Sequence, residues 1–219
     1  SVIGVSYLIT QEVAFSFWFF HIMYRVQETV LRATGSPIGG WEFVHHQELG
    51  AYVTGCCFLL WIARGHLRRV WGAFTGAFRV DDDGEPAPYR WAVVGLLLST
   101  VAVAGMLTAV GMSYIVALAT IVLFYVILVV LTWMVIDGGL LFITTTAAPS
   151  EFLIPILGTR TLGPANLVIP TIVEKSVMWD SREFVMPSVM NGMRAPDSAG
   201  VNRRHVLLAM GLALVVALP

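Results

Sequence analysis

Charge is what this sequence has least of: Asp, Glu, Lys and Arg make up 12% of its 219 residues, about half the roughly 25% of ordinary soluble domains. A chain so short of charge cannot cover its surface with groups that face water, which argues against a soluble domain. The few charges balance to a formal -1. No basic field exists to gather a polyanion, and this excludes nucleic acid as a partner. Cysteine is equally scarce, with Cys56 and Cys57 side by side in an apolar run. Neighbouring thiols suit neither a disulfide framework nor a spaced metal site, so both read as small packing hydrophobes.

Other absences narrow the class further. Alternating polar and apolar residues are missing, and runs such as Ile121 to Leu131 carry no polar residue that could face a lumen, which excludes an outer-membrane barrel. No Gly-x-Ser-x-Gly, phosphate-cradling glycine loop, His-Glu-x-x-His or nucleotide fingerprint occurs, so no soluble-type enzyme is expected, while an intramembrane one stays open. Ser1 to Thr10 lack the basic start and cleavage pattern of a signal peptide, and Val206 to Pro219 stop partway through a hydrophobic run. The expectation is that both ends are cut from a longer protein.

What is present is apolar: 57% hydrophobic residues and a mean hydropathy of +0.79. Spanning about 30 Å of hydrocarbon takes about 20 residues of helix, which alone among open structures bonds all its own backbone groups. The expected fold class is therefore all-α, a polytopic transmembrane helical bundle with lipid and other transmembrane helices as partners. Four spans are expected, over residues 2–24, 50–63, 91–110 and 112–136, with the start of a further one over 205–219. The second is short unless it begins nearer Val44, which would draw His45, His46 and Glu48 into its first turns. Gly111 to Ser113 leave room only for a turn, making the third and fourth helices an antiparallel hairpin.

Residues 137–180 are interrupted by Gly138, Gly139, Pro149, Pro155, Gly158, Gly163, Pro164 and Pro170. This segment is expected to be a broken or re-entrant helix, or an amphipathic linker on the membrane surface. Arg64, Arg68, Arg69, Arg79 and Arg90 between the second and third spans, and Arg160, Lys175, Arg182, Arg194, Arg203 and Arg204 after the fourth, place those connections, including 181–204, in the cytoplasm. Asp81, Asp82, Asp83 and Glu85 read as a hydrated acidic turn, without the spacing of a calcium loop.

Ionisable residues at membrane depth are costly and therefore informative. On the first helix Gln11, His21, Arg25, Glu28 and Arg32 share one face, and Glu12 lies beside it as a candidate coupling acid. The alternative is that the arginines lie past the interface and that His21 and Glu12 only pack. Asp137, before two glycines, could meet a cation or an amine, or simply end a helix. Glu151, after Pro149 and Ser150, could serve a site or cap a short helix. Glu42 and His45 give a single Glu-x-x-His spacing, where a di-iron bundle needs two such pairs, so no metal centre is expected. His21, among Trp18, Phe19, Phe20 and Tyr24, is the weak candidate for a haem or pigment ligand. The cofactor is otherwise unknown.

The stretches EVAFSFWFFHIMYR (Glu12 to Arg25), Gln47 to Arg69, Asp137 to Leu141 and above all EFVMPSVMNGMRAPDSAGVNRR (Glu183 to Arg204) resemble a family of uncharacterised bacterial polytopic membrane proteins that are loosely oligopeptide-transporter-like. The resemblance implies further spans on either side and favours transporter-like architecture; the expected location is the bacterial inner membrane. It assigns chemistry to no residue. The leading expectation is thus a transporter-like protein whose binding region combines the polar face of the first helix with the segment after Asp137. The rival is a non-transporting accessory or scaffold subunit that touches pigment, lipid or quinone.

Overall fold

The computed structural model describes residues 10–35, 40–76, 87–138, 145, 147–177, 185–199 and 203–217. Among these residues the chain is helical throughout and contains no strand. The helices are α1 (Gln11–Ala33), α2 (Gly40–Thr75), α3 (Tyr89–Ala109), α4 (Tyr114–Gly138), α5 (Pro149–Leu157), α6 (Thr159–Val177), α7 (Val185–Ala199) and α8 (Arg203–Ala217). Two of them, α3 and α4, are long and apolar enough to cross a membrane.

Helix α4 is the hub. It contacts α2, α3, α5, α6 and α7, and it carries Ile127 at 0% and Leu131 at 1% exposure. One core joins Leu49, Tyr52 and Cys56 of α2 to Ile127, Val130 and Leu131, with Ala147 and Phe152 completing it. Gly55 admits this approach: a Cβ there would stand 3.5 Å from the Val130 side chain, so α2 packs closely on α4. A second core sets Ala104 and Leu107 of α3 against Met112, Val116, Ala117 and Ile121, with Leu153 and Leu162 beside them.

The α3–α4 hairpin turns at Gly111, whose φ of 111° suits glycine, and Met112 N–H donates to Leu107 O at 3.2 Å. These ends follow from the apolar run lying between Pro88 and Gly111. Helices α1 and α2 depart from the apolar spans. Helix α1 continues to Ala33, beyond residue 24, because Glu28 accepts from Arg25 at 3.3 Å and from Arg32 at 2.7 Å, pairs spaced to support a helix in polar surroundings. Residues 1–9, where its expected start falls, lie outside the described ones. Helix α2 has 36 residues, not the short 50–63, and begins early enough to place His45, His46 and Glu48 within it.

The path after α4 positions the polar site. From Gly138 the chain has returned beside the middle of α4 by Ala147, which packs with Ile127 and Leu131. Helix α5 then descends until Leu153 meets Val116 and Ile121, and Gly158 ends it at φ 75°. Asn166 of α6 accepts from Ser113 N–H at 2.7 Å, beside the start of α4. Gly163, at φ 72°, bends α6, and Pro164 restarts it. The far end of α6 climbs back, so that Glu174 meets Ser150 at the start of α5. The expected acidic turn at Asp81 to Asp83 lies outside the described residues, and α7 occupies much of the 181–204 connection.

Candidate functional site

Helix α2 presents His45, Glu48 and Tyr52 on one face, because steps of three and four residues return to the same side. That face meets the chain where it comes back along α4. Tyr52 Oη donates to Thr145 Oγ1 at 2.8 Å, and Thr145 Oγ1 donates to Glu48 Oε1 at 3.1 Å. Ala147 N–H also donates to Thr145 Oγ1, at 3.0 Å. One hydroxyl thus ties α2 to the segment that enters α5.

Two carboxylates collar the start of α5. Glu151 Oε2 accepts from Ala148 N–H at 2.9 Å. Glu174, reaching across from α6, accepts from Ser150 N–H at 2.7 Å and from Ser150 Oγ at 2.5 Å. Amides left unpaired by the first turn of a helix, with the positive end of its dipole, favour negative groups at this point. Pro149, in the first turn of α5, has no N–H to satisfy.

The imidazole of His45 joins the two halves. Its Nε2 lies 2.9 Å from Glu151 Oε2, while Nδ1 lies 3.7 Å from Glu48 Oε2. The His45 side chain is 15% exposed, against 30% for Glu48 and 39% for Glu151, so the ring is the most enclosed of the three. A single run of polar groups extends from Tyr52 through Thr145, Glu48 and His45 to Glu151. An imidazole can hold a proton on either nitrogen; here Nε2 is within hydrogen-bond reach of Glu151, and a relay on to Glu48 requires the 3.7 Å separation at Nδ1 to close. Among the described residues no group of three or more His, Cys, Asp or Glu could hold a metal ion.

The family model of a family of unknown function, DUF6785, matches residues 1–219. The chain belongs to that family. No curated protein and no solved structure matches it.

In this DUF6785 chain the residues singled out from sequence occupy different places. Glu12 lies exposed in the first turn of α1, His21 lies exposed with its ring 6.4 Å from that of Tyr24, and Arg25 holds Glu28 on the same exposed helix. Asp137 lies exposed at the end of α4. Glu151 is the member of that set brought against side chains of another helix. Its partners were not marked as a site by the sequence. Read along the chain, His45 bears on metal spacing and, with Glu48, on a helix boundary, and Tyr52, Thr145 and Glu174 carry no local signal. The three-and-four spacing of His45, Glu48 and Tyr52 was the available clue.

Proposed function

We propose that this DUF6785 protein is a polytopic, transporter-like protein of the bacterial inner membrane, and that the junction of His45, Glu48, Tyr52, Thr145 and Glu151 is its coupling site. The observation that carries this reading is the His45 to Glu151 contact at 2.9 Å, made where the chain has come back beside the middle of α4. With α4 spanning the bilayer, that level is the interior of the membrane. Ionisable groups are expensive there and persist where they bind or relay something. A short helix starting at mid-depth beside a cluster of polar side chains is also how discontinuous membrane helices form ion and substrate sites. Helix α5 is then a short passage from that interior level toward the level of Val116, near the start of α4. Helix α2 joins the bundle through its close packing on α4.

Proton uptake by vesicles reconstituted with the full-length protein tests the reading. Solutes from amino acids to short peptides are offered from outside, and acidification of the lumen is followed. Flux that Glu151→Gln and His45→Gln reduce at least about tenfold supports the assignment, because loss of a positioned proton acceptor costs that much or more. Vesicles with no flux for any solute, or variants equal to the parent, contradict it.

A specific feature favours one second reading, the accessory subunit. Helix α1 buries none of its residues and exposes Phe15, Trp18 and Phe20 at 60–64%. Such a face suits contact with other helices, pigment or quinone. Purification in mild detergent separates the readings, since a particle without partners or visible absorption removes this one.

A further inference from the structure

Beside the coupling junction, a cavity of about 280 Å³ lies between α3, α4 and the α5–α6 pair. Its wall is apolar, made by Val103, Leu107, Ile121, Phe124 and Val173, except where Glu174 borders it. The two hydroxyls that also reach it are engaged elsewhere: Thr120 donates to Val116 O at 2.8 Å, and Tyr125 pairs with Thr100 at 2.9 Å. Glu174 is 7% exposed. Ser150 supplies two hydrogen bonds to its carboxylate, which can accept about four, so acceptor capacity is left over. None of the ion pairs among the described residues includes it. The charged side chains that act on it from nearby are Glu151 of α5 and its own neighbour Lys175.

We infer that this cavity binds a compact apolar molecule carrying one protonated amine, with the ammonium on Glu174 and the hydrocarbon body against α3 and α4. The volume fits such a molecule, since a dry cavity of about 150 Å³ already admits benzene. The chemistry fits as well. A carboxylate enclosed by hydrocarbon is stabilised by a cation that brings its own hydrogen bonds, and an ammonium in the same apolar pocket is stabilised by the carboxylate. A neutral molecule of the same shape would gain only the wall, and an anion would be repelled. The inference extends beyond the transport reading, because binding here requires no movement across the membrane.

The test is saturable binding of labelled adamantanamine to the full-length protein in phosphatidylcholine nanodiscs. Adamantanol and adamantane carboxylate serve as competitors of the same cage. Glu174→Gln removes the charge, and Val103→Trp fills the cavity while leaving the Ser150 to Glu174 bonds in place. The inference predicts saturable amine binding, competition at least about tenfold weaker from the alcohol and absent from the acid, and loss of binding in both variants. If Glu174→Gln does not fold, the competitor series and Val103→Trp still decide. Equal binding of amine and alcohol, unchanged binding in either folded variant, or no saturable binding by folded parent overturns it.

Discussion

His45 Nε2 and Glu151 Oε2 meet at 2.9 Å, joining α2 to the first turn of α5. Glu151 has a second duty, since the same oxygen accepts from Ala148 N–H and caps α5. Two substitutions separate these duties. Glu151→Ala removes both and is expected to cost about 1 kcal/mol of stability, as loss of a helix cap does. Glu151→Gln keeps an acceptor for Ala148, so it should cost less than Ala while still abolishing coupling. Thermal melts of the two variants in detergent, set beside their proton flux, check this ordering. If Gln destabilised as much as Ala, the cap would not be what Glu151 provides.

Thr145 holds the other side of the junction. Tyr52→Phe deletes one hydrogen bond, at a cost of about 1 kcal/mol. Thr145→Val leaves Tyr52, Glu48 and Ala147 N–H without their shared partner and should cost more, about 1–3 kcal/mol. Denaturation of the two variants under identical conditions gives the comparison, and a milder effect from Thr145→Val contradicts the bonding pattern.

The packing around α4 makes its own prediction. Ile127→Ala and Leu131→Ala empty sites exposed by 0% and 1% and should each cost about 2–5 kcal/mol. Leu98→Ala, at 65% exposure on α3, removes a side chain with few neighbours and should change stability by less than about 0.5 kcal/mol. Gly55→Ala adds a Cβ at ordinary contact distance from Val130 and should be tolerated, whereas Gly55→Leu should separate α2 from α4. Melting temperatures of this series, read in one detergent, test whether α4 is the hub.

Legibility followed the apolar runs. The reading 91–110 against α3 (Tyr89–Ala109), and 112–136 against α4 (Tyr114–Gly138), differ by a turn or less, because Arg90, Gly111 and Asp137 mark off two runs with no charge inside them. Helix α2 reads as 50–63, or as a helix that begins nearer Val44, and it extends from Gly40 to Thr75. Hydropathy marks the stretch that suits hydrocarbon, and Glu42, His45 and Glu48 on one side, with Arg64, His66 and Arg68 on the other, hide the helix that continues through them. Glycine and proline between Asp137 and Asp180 signalled interruption. They could not say that the chain returns to the middle of α4.

The site was less legible than the fold for a related reason. His45 and Glu151 meet because of how α5 docks on α2 and α4, and no periodicity along the chain connects them. Glu174 sits beside Lys175 near the end of α6, a pattern that reads as solvated surface until Ser150 is placed against it. On α1 the opposite occurred. The stripe through His21, Arg25, Glu28 and Arg32 is regular in sequence, yet its ion pairs lie within the helix and none reaches another one.

Insertion of α3 and α4 in hydrocarbon would take their exposed leucines and valines out of water. Extraction of native membranes with alkaline carbonate, followed by detergent, measures this directly. The full-length protein should stay with the membrane pellet through the carbonate wash and enter solution only with detergent. Its recovery in the aqueous wash as a monodisperse, detergent-free monomer would contradict the account.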